Sequence, residues 1–237
     1  MLKCLIVVPV YNEVESLQQL IDRLKSTIIK QHDINLSILF INDGSTDDSE
    51  LILIKNKVNY INLVNNLGLG ASTQSGYKYA AAGNFDYVIK IDGDGQHPPE
   101  EMKKLIDAAS VNNEDLIIGS RFLTNSGYKP SFSRKIGMLY SSVLLSITTG
   151  IKVNDTTSGY LLLKKELVRH FAKDYPQFSA GLTYLFIAHK SGFSFKEIPI
   201  KMFTRKYGKS SINFFKALIY PSKTLINAVA IFLRKPL

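Results

Sequence analysis

With 237 residues, the chain is long enough for one α/β domain with a full core, or for two small domains. An apolar content of 45% without any low-complexity tract marks it as globular. The net charge of +9 calls for an anionic partner, and in the absence of zinc-ligand spacing, a helix-turn-helix pattern or any Trp, nucleic acid ranks below a membrane surface or a phosphorylated substrate.

The single cysteine, Cys4, lies in the first apolar run and reads as a core residue of a reduced compartment. No charged segment followed by an apolar stretch and a cleavage site opens the chain, so no signal peptide is expected.

Leu2 to Val10 is rich in Leu, Ile and Val, the pattern of a parallel strand covered on both faces. It stops at Pro9-Val10-Tyr11-Asn12-Glu13, a loop at the strand's carboxyl end. Leu17, Leu20, Ile21, Leu24 and Ile28 then recur at helical spacing. A second strand, Ser37 to Ile41, runs into Asn42-Asp43-Gly44-Ser45-Thr46-Asp47-Asp48, where Ser45, Thr46 or Asp47 offers a helix N-cap. The third strand, Tyr60 to Val64, ends at Asn65-Asn66-Leu67-Gly68-Leu69-Gly70, and a helix of small residues follows from Ala71 to Ala82.

The fourth strand ends at Asp92-Gly93-Asp94-Gly95-Gln96-His97-Pro98-Pro99, before a helix from Pro99 to Ala109. Two carboxylates at i and i+2 past a strand end can converge on one hard cation if the turn bends the backbone. Mg²⁺ and Mn²⁺ take oxygen ligands of this kind, commonly together with substrate phosphates. Asp92 and Asp94 are therefore candidate ligands of a metal that holds a diphosphate. A loop residue is the simpler reading of His97 beside two prolines.

Asp115 to Gly119 is a fifth strand, closed by Ser120-Arg121-Phe122. The alternation predicts a doubly wound, mostly parallel sheet with helices on both faces and a ligand crevice at the carboxyl ends of the strands. No G-x-G-x-x-G follows the first strand and no Walker-type loop is present, which disfavours dinucleotide and ATPase readings.

Phe132 to Thr149 has helical spacing, with Ile136, Leu139, Val143, Leu144 and Ile147 on one side. Asp155-Thr156-Thr157-Ser158-Gly159, a strand at Tyr160 to Leu163, a helix around Leu182 to Lys190 and a strand at Phe195 to Pro199 follow. No linker separates the halves, so residues 1–211 read as one domain and 212–237 as a C-terminal helix. At 100° per residue Lys216, Lys223, Asn227 and Arg234 fall within about 20° either side of one direction. Each lysine at a bilayer centre would cost about 2.5–3.5 kcal/mol, and Pro221 adds to the argument against a spanning helix. A helix lying in the membrane interface is expected, preceded by the basic cluster Arg205, Lys206 and Lys209. The alternative is an amphipathic helix packed on the protein's own core.

The four strand-end motifs, Pro9 to Glu13, Asn42 to Asp47, Asn66 to Gly70 and Asp92 to Pro99, occur in order. Together they resemble the family 2 glycosyltransferases of GT-A fold, in the branch that includes dolichyl-phosphate mannose synthase and polyprenyl-phosphate glycosyltransferases. The resemblance spans residues 2 to 211, and Gly119-Ser120-Arg121, Asp155 to Gly159, and Arg205 with Gly208 and Ser210 match the same branch. It implies that Pro9, Tyr11 and Glu13 line a nucleoside pocket and that Asp43 binds the base. It further implies that Asp92, Asp94 and Gln96 form the metal and diphosphate site. Arg121, Arg134, Arg205 and Lys209 would receive an acceptor phosphate. Many relatives carry acidic residues near Tyr175 to Ser179, and here there are none.

Chemistry agrees with several of these roles. Asp43 can accept from a base N–H and Glu13 from a ribose hydroxyl. Gly68 and Gly70 permit close backbone approach of a nucleotide. An arginine fork donates two parallel hydrogen bonds to phosphate. An ionised phosphate acceptor needs cations but no general base, whereas a sugar hydroxyl needs one, for which Asp155 is the candidate.

The expectation is an inverting, Mg²⁺- or Mn²⁺-dependent transferase, inversion being implied by the resemblance alone. It would move a sugar from a UDP- or GDP-sugar to a polyprenyl-phosphate or lipid-linked glycan at the cytoplasmic face of a membrane. Two rivals stand beside it. A sugar-phosphate nucleotidyltransferase should carry a Gly-rich, basic loop after the first strand, which Pro9 to Glu13 is not. A non-catalytic nucleotide-sugar-binding subunit of a larger synthase is the other.

Overall fold

A computed structural model describes residues 2–29, 34–111, 113–123, 132–177, 181–203 and 214–234, with the backbone alone at 132–134, 214–221 and 223. The first half alternates strictly: β1 (Leu2–Val10), α1 (Val14–Ile29), β2 (Ile34–Asn42), α2 (Ser49–Lys55), β3 (Tyr60–Asn62) and α3 (Leu69–Ala82). Next come β4 (Tyr87–Lys90), a 3₁₀ turn at Pro99–Glu101, α4 (Met102–Val111) and β5 (Leu116–Ser120). The second half adds α5 (Phe132–Thr149), β6 (Leu161–Lys164), α6 (Lys165–Lys173), α7 (Thr183–Lys190), β7 (Phe195–Pro199) and α8 (Phe214–Leu233).

The strands form one seven-stranded sheet in the order β3-β2-β1-β4-β6-β5-β7. Residues of β1 alternate between two cores, as an apolar run covered on both sides must. Cys4, Ile6 and Val8 join Leu17, Leu20 and Leu24 of α1 and Met102 and Leu105 of α4. Leu5 and Val7 join Tyr77 of α3, Phe171 of α6 and Phe186 of α7 on the other face. Cys4 is fully buried, and burial pushes its thiol up to about 12.

The predicted sheet and its helices on both faces are present, with four differences. β6 runs antiparallel to both β4 and β5, a reversal that the sequence did not locate within the mostly parallel sheet expected. The helix α6 was not foreseen: Leu167, Val168 and Phe171 do recur at helical spacing, but it starts directly after β6 at Lys164 with no capping side chain to mark it. The N-cap position of α2 is Asp48, which makes no side-chain cap bond; Asp47 caps from one residue earlier, its Oδ1 accepting the Ser49 N–H, while its Oδ2, Ser45 and Thr46 hold the neighbouring loop. The apolar stripe of α5 also faces outward: Ile136, Leu139, Val143 and Ile147 are exposed, while Leu145 enters the core.

The C-terminal helix packs on the protein's own core and leaves several apolar side chains exposed. α8 lies against α5 and α7, burying Thr224 and Ala228, with Phe232 edge-on to Phe186. Arg234, placed on the lysine side by its spacing, pairs instead with Asp174 at the end of α6. Leu225, Ile226, Val229 and Leu233 are left exposed. No helix among the described residues is long and apolar enough to cross a membrane.

Gly70, at the start of α3, packs against the chain at 176–177: a Cβ there would lie 2.3 Å from the carbonyl oxygens of Pro176 and Gln177. Gly70→Ala is expected to cost about 1–3 kcal/mol through overpacking, read as a lower urea midpoint at unchanged m-value.

Candidate active site

The carboxyl ends of β2, β1 and β4 lie side by side in parallel, so their polar loops share one edge of the sheet. Side chains cross-link those loops. In the first, Asn12 adopts a positive φ of 53°, and its backbone N–H donates to Ser45 Oγ at 3.1 Å. The N–H of Glu13 donates to Ser49 Oγ and that of Val14 to Asp47 Oδ2. These bonds hold Tyr11 exposed and Glu13 half-buried at the mouth, above the buried Pro9.

Asp43 is 3% exposed. One carboxylate oxygen accepts from Leu67 N–H at 2.9 Å and the other from Gly68 N–H at 2.8 Å. Its first task is thus to tie the end of β2 to the entry of α3. Gly68 takes a φ of 90° there, a conformation open to glycine. Gly70 differs from the expectation: the space left by its missing side chain is filled by the 176–177 backbone, not held open for a nucleotide.

The β4 loop is pinned from three sides. Asp94 Oδ1 accepts from Gln96 N–H at 3.0 Å, and Gly95 turns the chain at a φ of 71°. A Cβ on Gly93 would stand 2.8 Å from the carbonyl oxygen of Pro9, so glycine lets this loop approach the end of β1. Ser16 Oγ donates to the Gly93 carbonyl at 3.0 Å, fastening the start of α1 beneath it. Gln96 donates its amide N–H to the carbonyl of Phe203, and of its two amide atoms only the oxygen has the chemistry of a metal ligand.

His97, Lys90 and Tyr160 belong to this site and were missed as such. His97 is buried, and its Nδ1 accepts from the Asp92 backbone N–H at 2.9 Å. Burial lowers its imidazole below the ordinary value, consistent with a neutral, accepting nitrogen. Tyr160 lies against it with its ring tilted by 39° and donates to the Pro98 carbonyl at 2.7 Å. Lys90, 3% exposed, directs its ammonium onto Asp92 Oδ1. Partial burial would raise the Asp92 carboxyl, but the Lys90 charge outweighs it and holds the group at about 2. The signal for Lys90 was a single charge in an otherwise apolar strand.

A second charged cluster lies where β5 ends. Arg121 grips Asp155 in a fork, with Nε to Oδ2 at 2.7 Å and Nη2 to Oδ1 at 2.6 Å. Its backbone N–H also reaches Asp155 Oδ2, and Nη2 donates further to Thr157 Oγ1. Asp155 is fully buried, and Glu197 on β7 receives the N–H groups of Asn154 and Asp155. The two residues foreseen as phosphate ligand and base are therefore each other's partners. The Arg134 side chain, Arg205 and Lys209 lie outside the described residues.

Among the described residues no cluster of three or more Asp, Glu, His or Cys side chains stands ready for a metal. Asp92 and Asp94 fit a smaller task, since Mg²⁺ is usually held by one or two carboxylates together with substrate phosphates.

The sequence profile described as "Glycosyl transferase family 2" matches residues 5–171, which contain all four crevice loops. The chain belongs to that family. The transferase is 28% identical over 225 residues to polyprenol monophosphomannose synthase of Mycolicibacterium smegmatis, covering 89% of this chain and 81% of the relative. It is 26% identical over 227 residues to undecaprenyl-phosphate mannosyltransferase of Micrococcus luteus, covering 90% and 88%. Among solved structures it resembles glucosyl-3-phosphoglycerate synthase of Mycobacterium tuberculosis, crystallised with Mn²⁺ and UDP-glucose. The TM-score is 0.68 at 16% identity, with 97% of this chain and 78% of that one covered, a likeness of fold. Family membership makes the chain a glycosyltransferase and removes the nucleotidyltransferase and non-catalytic readings.

Removing one partner of a buried ion pair strands the other. Asp155→Ala is expected to lose about 3–5 kcal/mol of stability in urea unfolding, because Arg121 keeps its charge without its fork.

Proposed function

We propose that the transferase moves a sugar from a UDP- or GDP-sugar to a polyprenyl phosphate, with inversion and with a divalent metal, at a membrane surface. The names of its relatives support the acceptor class. The observation in the site that carries it is the Arg121–Asp155 fork: both oxygens of the foreseen base are already engaged by arginine. A sugar hydroxyl needs a base to lose its proton, whereas a lipid phosphate arrives ionised and needs only to be positioned.

Tyr11 and Glu13 would hold the nucleoside, with Asp43 shaping the wall of the base pocket and accepting through its remaining lone pairs. Asp94, Gln96 and Asp92 would hold the metal, Mg²⁺ or Mn²⁺, which when bound offsets the charge that develops on the departing diphosphate. Arg121, oriented by Asp155, would present the edge of its guanidinium to the acceptor phosphate, joined by Arg134, Arg205 and Lys209.

Purified enzyme supplied with nucleotide-sugars, Mn²⁺ and a polyprenyl phosphate is expected to release UDP or GDP. The corresponding polyprenol should release neither. Equal turnover of the alcohol would sink the phosphate reading. Asp94→Ala should lower kcat by about 10²–10³-fold, the scale of losing one transition-state electrostatic contact.

Membrane contact is proposed through the joined outer faces of α5 and α8. Exposed Leu139, Ile147, Ile226 and Leu233 are more apolar surface than a helix pair facing water retains. Cosedimentation with anionic vesicles is expected, and the double variant Ile226→Ser/Val229→Ser should reduce the bound fraction severalfold while leaving the thermal midpoint in place.

A further inference from the structure

Lys90 presents a problem that the catalytic reading does not absorb. It occupies the centre of the sheet, on a strand paired on one side with β1 and on the other with β6. The neighbouring strand residues Val88, Ile89 and Ile91 are buried and apolar. An ammonium in such a place costs desolvation and is retained only with a partner. That partner is Asp92 Oδ1.

The other oxygen of Asp92 is crowded as well. A Cβ on Gly159 would lie 2.2 Å from Oδ2, so the backbone of that loop rests against it, and His97 Nδ1 stands 3.8 Å away. His97 adds no positive charge while its Nδ1 accepts the Asp92 N–H. Among the described residues the local count is then three carboxylates, Asp92, Asp94 and Asp155, against two cations, Lys90 and Arg121, the last already paired with Asp155. A single net negative charge and a half-occupied carboxylate make a weak site for a free dication, whereas a nucleoside diphosphate brings its own negative oxygens.

We propose that Lys90 makes metal binding conditional on the nucleotide: by occupying Asp92 it leaves the protein too little negative charge to hold the ion until a nucleoside diphosphate arrives with it. This rests on the metal reading above. In thermodynamic terms Lys90 sets the coupling free energy between metal and nucleotide, and the coupling is reciprocal.

The test is Mn²⁺ binding followed by electron paramagnetic resonance, with and without UDP or GDP, in the wild type and in Lys90→Met. In the wild type, nucleotide should tighten Mn²⁺ binding strongly. In Lys90→Met, Mn²⁺ alone should bind at least about tenfold more tightly than to the wild type, because the repelling ammonium is gone. Its dependence on nucleotide should shrink by the same factor. A merely structural lysine predicts the opposite, weaker Mn²⁺ binding under both conditions, and that result would overturn the proposal, as would equal Mn²⁺ affinity of the wild type with and without nucleotide. If Lys90→Met does not fold, Lys90→Gln, which can still donate to Asp92 without a charge, reads the same coupling. No Mn²⁺ binding by the wild type even with nucleotide, matched by Asp94→Ala, would instead remove the metal reading itself.

Discussion

Several backbone N–H groups in the loops beyond the carboxyl ends of β1, β3 and β4 lie past the ladder, and the side chains of adjoining loops take them. Asp43 receives Leu67 and Gly68, Asp47 receives Val14, Ser49 receives Glu13, and His97 receives Asp92. Left unpaired, such groups would each cost about 1–3 kcal/mol when buried. The same bonds that remove this cost give the crevice its shape. Without the sheet bringing three strand ends together, none of these contacts could form, and the four polar loops would be unrelated turns.

Two buried ion pairs organise the remainder. Lys90–Asp92 lies under the proposed diphosphate end, and Arg121–Asp155 lies where β5 ends. Each places a cation where negative charge would arrive, and each holds it with a carboxylate that another element supports. Asp92 is backed by His97 and Gly159, and Asp155 by Glu197. A charge fixed in this way needs no reorganisation when a phosphate binds, which is the form of electrostatic assistance that transfer of a charged leaving group uses.

Much of the site was legible because strand-end loops rich in Gly, Asp and Asn have few purely structural explanations when four recur in order. Asp92, Asp94 and Gln96 stand at one turn, as their spacing suggested. Roles that depend on a partner were less legible. Asp155 looked like a base until Arg121 was seen in its fork, and Gly70 looked like a nucleotide contact until Pro176 and Gln177 filled its space. His97 looked like a turn residue, yet it is buried and receives the Asp92 N–H across five positions, through a turn whose closure the local sequence does not state.

The sequence by itself determined the alternation of strands and helices, the polar character of each strand end and the family. All of these are local or ordered along the chain, and periodicity and motif order record them. Tertiary structure alone decided the reversed direction of β6, the outward turn of the α5 stripe and the pairing of Lys90 with Asp92 and of Arg121 with Asp155. The reason is physical: a side chain's task follows from which charge or hydrogen-bonding group faces it. Except for Lys90, those neighbours come from segments distant in the chain. Even for Lys90, two residues from Asp92, the sequence shows a charge in a strand but not that the strand is central and dry.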